Sequence, residues 1–398
     1  MEGDHFSIGL TQLLGRLQGQ RAELIADVVS DCGYVTSDAA TLVDAIQGFV
    51  EYLPTLLEVT QGQLQFENET LRRVSPAARI ALRPWGRVLF VCPSNAPAPL
   101  ATIVPASLAL AGNHVTIVSP SAIRASVTRC VGLLPTEYSV QLWPGRAADA
   151  VSQIARNNYD MVYYTGSSRF FPDISSLCAR SGTHLIYEGE GRGVAIISKE
   201  AGETDLHRSA NALTEALRYC NGKMCSKPTA VAVPAELETS FLELFVRVAR
   251  ESKLPRSAEA LLGHTLARFI KEGLDAGDFE ALTLMHDDVP YLLRARDFAT
   301  AIGAEMFGPA LTVFTYETIE ALRASLASHR YKLQLSWFGP RGDLLATADT
   351  AGVARVCANV QPSSQNPSLP WGGYGLSGTS DVLDFYRKGL RRVLCESD

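Results

Sequence analysis

Between about residues 86 and 190 the chain alternates short apolar runs with helical stretches, and this rhythm limits its folds more than any other feature. Val88–Val91 is an apolar run ended by Pro93. A helical stretch from about Leu100 to Ala111 follows, closed by Gly112-Asn113, a good helix stop. Val115–Val118 reads as the next strand, with a helix from about Ala122. Val140–Trp143 is another strand, with a helix from Ala147 to Arg156, and Met161–Tyr164 and Leu185–Tyr187 continue the series. Strand and helix at this spacing predict a parallel sheet covered by helices, and in such sheets ligands bind at the carboxyl ends of the strands.

The flanking segments read differently. Residues 5 to about 60 are helical in pattern, with apolar positions such as Leu13, Leu17, Leu24 and Ile25, then Val43, Ile46, Val50 and Leu53. After about 190 a second alternating series begins, with helices near 205–219, 236–252 and 257–273 and strands near 229–233, 311–314, 334–338 and 355–359. The tail from Tyr386 to Cys395 mixes charged and apolar residues, as a lone strand seeking a partner would.

With 398 residues, 46% of them apolar and 20% charged, the chain can bury a large core in two or three lobes. A net charge of -6 argues against a general nucleic-acid partner, which needs a basic face to replace phosphate counterions. The start Met-Glu-Gly-Asp-His is acidic and unlike a signal peptide. The longest apolar stretch, Leu100–Ala111, contains Pro105 and is too short to span a bilayer. The expectation is a cytoplasmic protein with no membrane partner. Eight cysteines are scattered without a CxxC pair, and seven histidines include no HExxH, so no metal site is expected and the thiols should be reduced.

Four loops carry residues suited to chemistry. Cys92-Pro93-Ser94-Asn95-Ala96-Pro97 follows the first strand of the series, and its prolines leave the Asn95 amide able to donate; alone, Asn95 could as well be a turn residue. Tyr164-Thr165-Gly166-Ser167-Ser168 lies between a strand and a helix, where small hydroxyl residues cap the helix and expose N–H groups that can receive a pyrophosphate; such a cap is more often only a cap. Tyr187-Glu188-Gly189-Glu190-Gly191 ends an apolar strand with a carboxylate between glycines, suited to general-base work or simply to a turn. Cys220-Asn221-Gly222-Lys223-Met224-Cys225-Ser226-Lys227-Pro228 puts a cysteine beside Lys223 and Lys227, whose charges would favour a thiolate, although burial as a small residue is the commoner fate of cysteine.

The order of these loops, continued by Glu305-Met306-Phe307-Gly308-Pro309 and Leu369-Pro370-Trp371-Gly372-Gly373-Tyr374-Gly375-Leu376-Ser377-Gly378, resembles the aldehyde dehydrogenase superfamily from about residue 84 to the C-terminus. The resemblance implies an α/β fold of that type: a Rossmann-type cofactor domain over 1–190, a catalytic domain over 191–380, and a C-terminal strand over 381–398. A reduced oligomerisation hairpin would lie within 71–89 (Leu71–Leu89) and pair with the tail strand Arg387–Cys395 across a homodimer. It also implies roles: Cys225 as nucleophile, Asn95 with the backbone N–H of Cys225 as oxyanion hole, and Glu188 as general base. One oxyanion donor is typically worth roughly 3 kcal/mol. Pro93, Ser119, Ser121, Gly145 and the turn Thr165, Gly166 and Ser167 would hold the dinucleotide, and Glu305 and Phe307 the nicotinamide ribose.

The departures bear on function. Ser94 stands for a tryptophan, Lys223 for the glutamine before the nucleophile, and Arg192 for the lysine of Glu-Leu-Gly-Gly-Lys, while Glu190 adds a carboxylate. Spacing favours Glu188 over Glu190 as the one facing the thiol. Where the family has Lys-Pro-Ser-Glu, this chain has Ser119-Pro120-Ser121-Ala122; with that carboxylate missing and Arg124 nearby, the cofactor is NAD or NADP, leaning to NADP. The leading expectation is oxidation of a small-molecule aldehyde to an acid through a thiohemiacetal and a thioester. Reduction of an acyl thioester to an aldehyde ranks second and a non-catalytic relative third; the presence of both Cys225 and Glu188 argues against the last.

Overall fold

The computed structural model describes residues 2–156, 158–363 and 369–396. Two long helices, α1 (Glu2–Cys32) and α2 (Thr36–Arg72), pack on one another, and Leu13, Leu17 and Leu24 of the first and Val43, Ile46, Val50 and Leu53 of the second are buried. These positions form one stripe per helix, the pattern that a half-buried helix needs. Gly33, at φ +68°, takes the left-handed turn that reverses the chain between them. Helix α2 runs past the expected end near residue 60. Its last turns lack an apolar stripe but are sustained by side-chain pairs such as Gln65 to Glu69 at 2.9 Å.

The first sheet is built from β2 (Arg87–Val91), β3 (His114–Val118), β4 (Val140–Leu142), β5 (Met161–Thr165) and β6 (His184–Glu188), β1 being Ala78–Pro84. The spatial order is β4-β3-β2-β5-β6, and β2 pairs in parallel with β3 on one side and β5 on the other. The intervening helices are α3 (Pro97–Leu110), α4 (Arg124–Leu133), α5 (Ala147–Ser152) and α6 (Phe171–Ser181). Because the chain starts at central β2, builds outward through β3 and β4, and then returns to the other side with β5, the sheet has its switch point between β2 and β5. That is where doubly wound sheets open a crevice at their carboxyl edge.

The second series forms a seven-stranded sheet in the order β14-β13-β7-β8-β11-β10-β9. Its strands are β7 (Gly193–Ile197), β8 (Pro228–Pro234), β9 (Phe279–Ala281), β10 (Tyr291–Ala295), β11 (Ala310–Tyr316), β13 (Gln334–Phe338) and β14 (Arg355–Ala358). All neighbours are parallel except edge strand β9. Strands β8 and β13 are buried along their whole length, as sheets covered on both faces require. Helices α7 (Glu203–Arg218) and α8 (Glu238–Glu251) supply an apolar layer that includes Leu213, Leu217, Phe241 and Phe245. A small sheet joins β12 (Tyr331–Lys332), β15 (Trp371–Gly375) and β16 (Ser380–Leu383).

The chain divides into two compact units, one of Met1–Tyr187 with Asn366–Trp371 and Val382–Asp398, the other of Glu188–Gln365 with Gly372–Asp381. Within the first unit the tail strand β17 (Leu390–Glu396) pairs antiparallel with β1 of the same chain, from Ala78 opposite Glu396 to Pro84 opposite Leu390. Over Leu71–Leu89 the chain thus forms the end of α2, the single strand β1 and the start of β2, where a hairpin was expected. The tail strand begins later than Arg387, because Asp384 caps a helical turn, Phe385–Lys388, through the Arg387 N–H at 2.8 Å. Among the described residues no helix is long and apolar enough to cross a membrane, and no group of three or more His, Cys, Asp or Glu side chains is placed to hold a metal.

Candidate active site

In the first unit the two strand ends at the switch point are tied together: the Thr165 hydroxyl donates to the Val91 carbonyl. Cys92-Pro93-Ser94-Asn95 leaves β2 at this point, and Asn95 is buried just ahead of α3. Tyr34, from the turn between α1 and α2, donates its phenol to the Asn95 carbonyl at 2.7 Å. This contact fixes the loop from 61 residues away, so the sequence pattern gave no sign of it. The Thr165-Gly166-Ser167 turn does not cap α6 as expected. The helix starts at Phe171 with no side-chain cap, and the turn is instead closed on itself, Tyr164 donating to the Ser167 carbonyl at 2.9 Å. Ser119 is buried at the end of β3, whereas Ser121 and Gly145 are exposed. Arg124, invoked for a 2′-phosphate, donates to the Trp143 carbonyl at 2.9 Å. The small Thr-Gly-Ser turn at the carboxyl ends of β2 and β5 is the kind of lining that a dinucleotide site at a switch point needs.

In the second unit the loop before Cys225 is strained. Cys220, Asn221 and Gly222 adopt successive left-handed conformations at φ 50°, 53° and 66°. Left-handed non-glycine residues cost on the order of 1–3 kcal/mol each and persist only where their surroundings impose them. Here the surroundings are close-packed backbones. A Cβ on Gly222 would stand 2.2 Å from the Gly308 carbonyl oxygen, and the Gly308 N–H donates to the Gly222 carbonyl at 3.1 Å. A Cβ on Gly191 would stand 1.8 Å from the Cys225 carbonyl oxygen. Only glycine at both positions lets the segments carrying Glu188 and Glu305 lie against the cysteine loop.

This arrangement reverses one expectation. Burial first, then the charges of Glu305 and Glu188, push the Cys225 thiol up to about 12, so it rests protonated. Lys227 does not favour a thiolate: its buried ammonium donates to the carbonyls of Pro228 at 3.2 Å and Ala310 at 2.9 Å. Burial lowers Lys227 to about 7, against the opposing pull of Glu305. Glu305 itself is raised to about 7, chiefly by burial, while the Gly191 N–H donating to its Oε1 at 2.9 Å favours the carboxylate. Adjacency in sequence suggested Lys227 as the charge on the thiol; the charges that act on it are those of Glu305 and Glu188.

The two carboxylates of the Glu188–Glu190 turn are separated by their partners. Glu190 is paired with Arg192 at 2.8 Å, and it is Glu188 whose charge acts on the Cys225 thiol. The turn is pinned from the Gly372–Gly378 segment: Glu188 bridges Gly378, the Gly189 N–H donates to the Ser377 carbonyl at 2.9 Å, and the buried Ser377 hydroxyl donates to the Glu190 carbonyl at 2.7 Å. Gln334 at the start of β13 donates to the Ser226 carbonyl at 2.9 Å and holds the far side of the cysteine loop. Phe307 follows in the Glu305 loop, its N–H donating to the Glu305 carbonyl at 2.8 Å. Ser377 and Gln334 were not singled out from the sequence, since their roles arise only from long-range packing.

A doubly wound unit with its switch point between β2 and β5, and a second α/β unit presenting a thiol under the charge of two carboxylates, are the parts that a nicotinamide-dependent oxidoreductase needs. The family model for the aldehyde dehydrogenase family matches residues 9–263, and the chain belongs to that family of NAD(P)-dependent enzymes that oxidise aldehydes. It is 25% identical over 90% of its length to a peroxisomal aminoaldehyde dehydrogenase of Malus domestica, covering 76% of that protein. It is 23% identical over 85% of its length to a family 3 aldehyde dehydrogenase of Dictyostelium discoideum, covering 75% of it. In fold it is similar to an NAD-dependent aldehyde dehydrogenase from Sinorhizobium meliloti, with a TM-score of 0.83 at 19% identity over all of this chain and 82% of that one. It is also similar to a succinic semialdehyde dehydrogenase from Streptococcus pyogenes in complex with NADP+, with a TM-score of 0.82 at 18% identity over 99% of this chain and 90% of that one.

Proposed function

We propose that this chain oxidises an aldehyde to the carboxylic acid through a covalent Cys225 intermediate, with NADP preferred to NAD. The observation that carries the reading is that the charges of Glu305 and Glu188 both act on one partly buried thiol. A thiol held up to about 12 is a poor nucleophile at neutral pH unless a base takes its proton as the carbon–sulfur bond forms. Glu188 takes it, and the sulfur adds to the aldehyde carbon to give a thiohemiacetal. Nicotinamide, when bound, accepts the hydride that leaves this carbon. Once Glu188 has released the first proton to solvent, water cleaves the Cys225 thioester: Glu188 takes the water's proton as the carbon–oxygen bond forms, the carbon–sulfur bond breaks, and the proton passes to the departing sulfur, which releases the acid and restores the thiol. Asn95 donates to the developing oxyanion in this reading, and Glu305 accepts from the ribose hydroxyls. Pro93, Ser119, Ser121, Gly145 and the Thr165–Ser167 turn border the dinucleotide. The lean to NADP rests on Ser121-Ala122 standing where a carboxylate would repel a 2′-phosphate.

The test follows nicotinamide absorbance with NAD and NADP against a panel of aldehydes that includes an aminoaldehyde and succinic semialdehyde, the kinds named for two relatives. Turnover that falls by roughly three or more orders of magnitude in Cys225→Ala supports the reading. Turnover only from acyl-CoA with reduced nucleotide would replace it with thioester reduction. Full activity in Cys225→Ala would refute the covalent route.

A further inference from the structure

Arg192 stands where the family it resembles has a lysine, in a left-handed conformation at φ +41°. Its guanidinium is largely buried, and every edge of it is engaged. Nε and Nη2 donate to Oε2 of Glu190 at 3.0 and 2.8 Å, and Nη1 donates to the carbonyls of Ile302 at 3.2 Å and Gly303 at 2.9 Å. Its flat face lies over the Tyr331 ring at 4.2 Å. Its own carbonyl accepts from Nε2 of His329 at 2.9 Å, which places the imidazole proton on Nε2. One residue earlier, the Gly191 N–H donates to Oε1 of Glu305. Two consecutive residues of one turn therefore grip three residues, 302, 303 and 305, of another. A lysine has one point charge and no planar fork, and could not bond Glu190 and both carbonyls from one rigid plane while stacking on Tyr331.

We infer that Arg192 is a positioning residue that clasps the Glu188–Arg192 turn to the 302–305 loop and so holds Glu305 in place for the nicotinamide ribose. The inference rests on the ribose role proposed above for Glu305. Glu190 is the clasp's second half: it fixes the guanidinium that would otherwise swing away. A merely structural ion pair would contribute to global stability alone. A clasp acts locally, on the Gly191 amide and on nucleotide affinity.

The experiment combines hydrogen exchange of peptides covering 186–193 and 300–308 with titration of the quenching of protein fluorescence by NADPH and NADH. Wild type, Arg192→Met, Arg192→Lys, Glu190→Gln and Glu305→Gln are compared as full chains. Arg192→Met should speed exchange in both peptides and weaken nucleotide binding about tenfold, the scale typical of losing a residue that orients a ligand-binding group. Arg192→Lys should lie between, and it carries the test should the methionine variant fail to fold. Glu190→Gln should loosen the same two peptides. Glu305→Gln should weaken nucleotide at least as much without loosening 302–303. If Arg192→Met and Arg192→Lys bind and exchange like wild type while Glu305→Gln loses affinity, the clasp is refuted and the ribose role stands. If Glu305→Gln binds like wild type, the ribose role fails and the positioning role falls with it.

Discussion

At the scale of the residue, the electrostatics of Cys225 set how the protein must behave. Its thiol is held up to about 12 by burial and by Glu305 and Glu188, so alkylation of the free enzyme by iodoacetamide should be slow at neutral pH and rise steeply above about pH 9. Glu305→Gln and Glu188→Gln each remove a negative charge that raises the thiol, and should move the alkylation profile to lower pH. A wild-type rate already at its plateau at neutral pH would contradict this. Glu305 makes a second prediction. Its carboxyl is raised from 4.5 to about 7, so the folded protein keeps a proton that the unfolded chain releases. The stability this contributes is present below about pH 4.5 and is lost as pH rises through about 7. The melting temperature of wild type relative to Glu305→Gln should therefore fall between about pH 5 and about pH 8. A difference independent of pH would show that Glu305 ionises normally. Cys225 and Glu188 stood out in the sequence because a thiol and a carboxylate in glycine loops are chemically conspicuous, and Glu305 only through the order of the motifs and the resemblance it carries. The sign of the field on the thiol was not legible, because Lys227 is two positions away in sequence yet bonded to backbone carbonyls.

At the scale of the element, three loops meet only because glycines stand at their closest approaches. Gly222→Ala meets both a left-handed backbone at φ +66° and the Gly308 carbonyl. It should destabilise by about 2–4 kcal/mol in urea titration, strain and overpacking adding. Gly342→Ala, at an exposed turn position with nothing near its Cβ, should stay within about 0.5 kcal/mol and serves as the control. Equal effects at the two positions would remove the close-approach argument. The strand and helix series was readable because its periods differ and its breakers are Pro and Gly. The β1–β17 pair left no such local trace, being short mixed strands about 300 residues apart; the resemblance gave its two members but set them across a dimer, whereas here they pair within one chain. The start of α6 was misread for a related reason: hydroxyl residues favour caps, but here Tyr164 draws the Ser167 carbonyl into a turn of its own.

At the scale of the whole molecule, the order of the six motifs carried the family, since each loop alone was ambiguous and only their succession was specific. The two-stranded β1–β17 sheet and the end of α2 leave Phe66, Val74 and Leu394 exposed, at 70%, 84% and 60%. Large exposed apolar side chains next to open strand edges invite association. The wild type should sediment as a dimer, and Leu394→Asp with Val74→Asp should shift it to monomer without lowering the melting temperature of the monomer. A wild type that sediments as a monomer at all concentrations would end the dimer proposal.

The most direct test of the central claim is mass spectrometry of the enzyme quenched in acid during turnover with an aldehyde and the oxidised nucleotide. The account predicts an acyl group on the peptide containing Cys225, formed only when both substrate and nucleotide are present and absent in Cys225→Ala. Steady turnover with no acylated peptide, in wild type and Cys225→Ala alike, would contradict it.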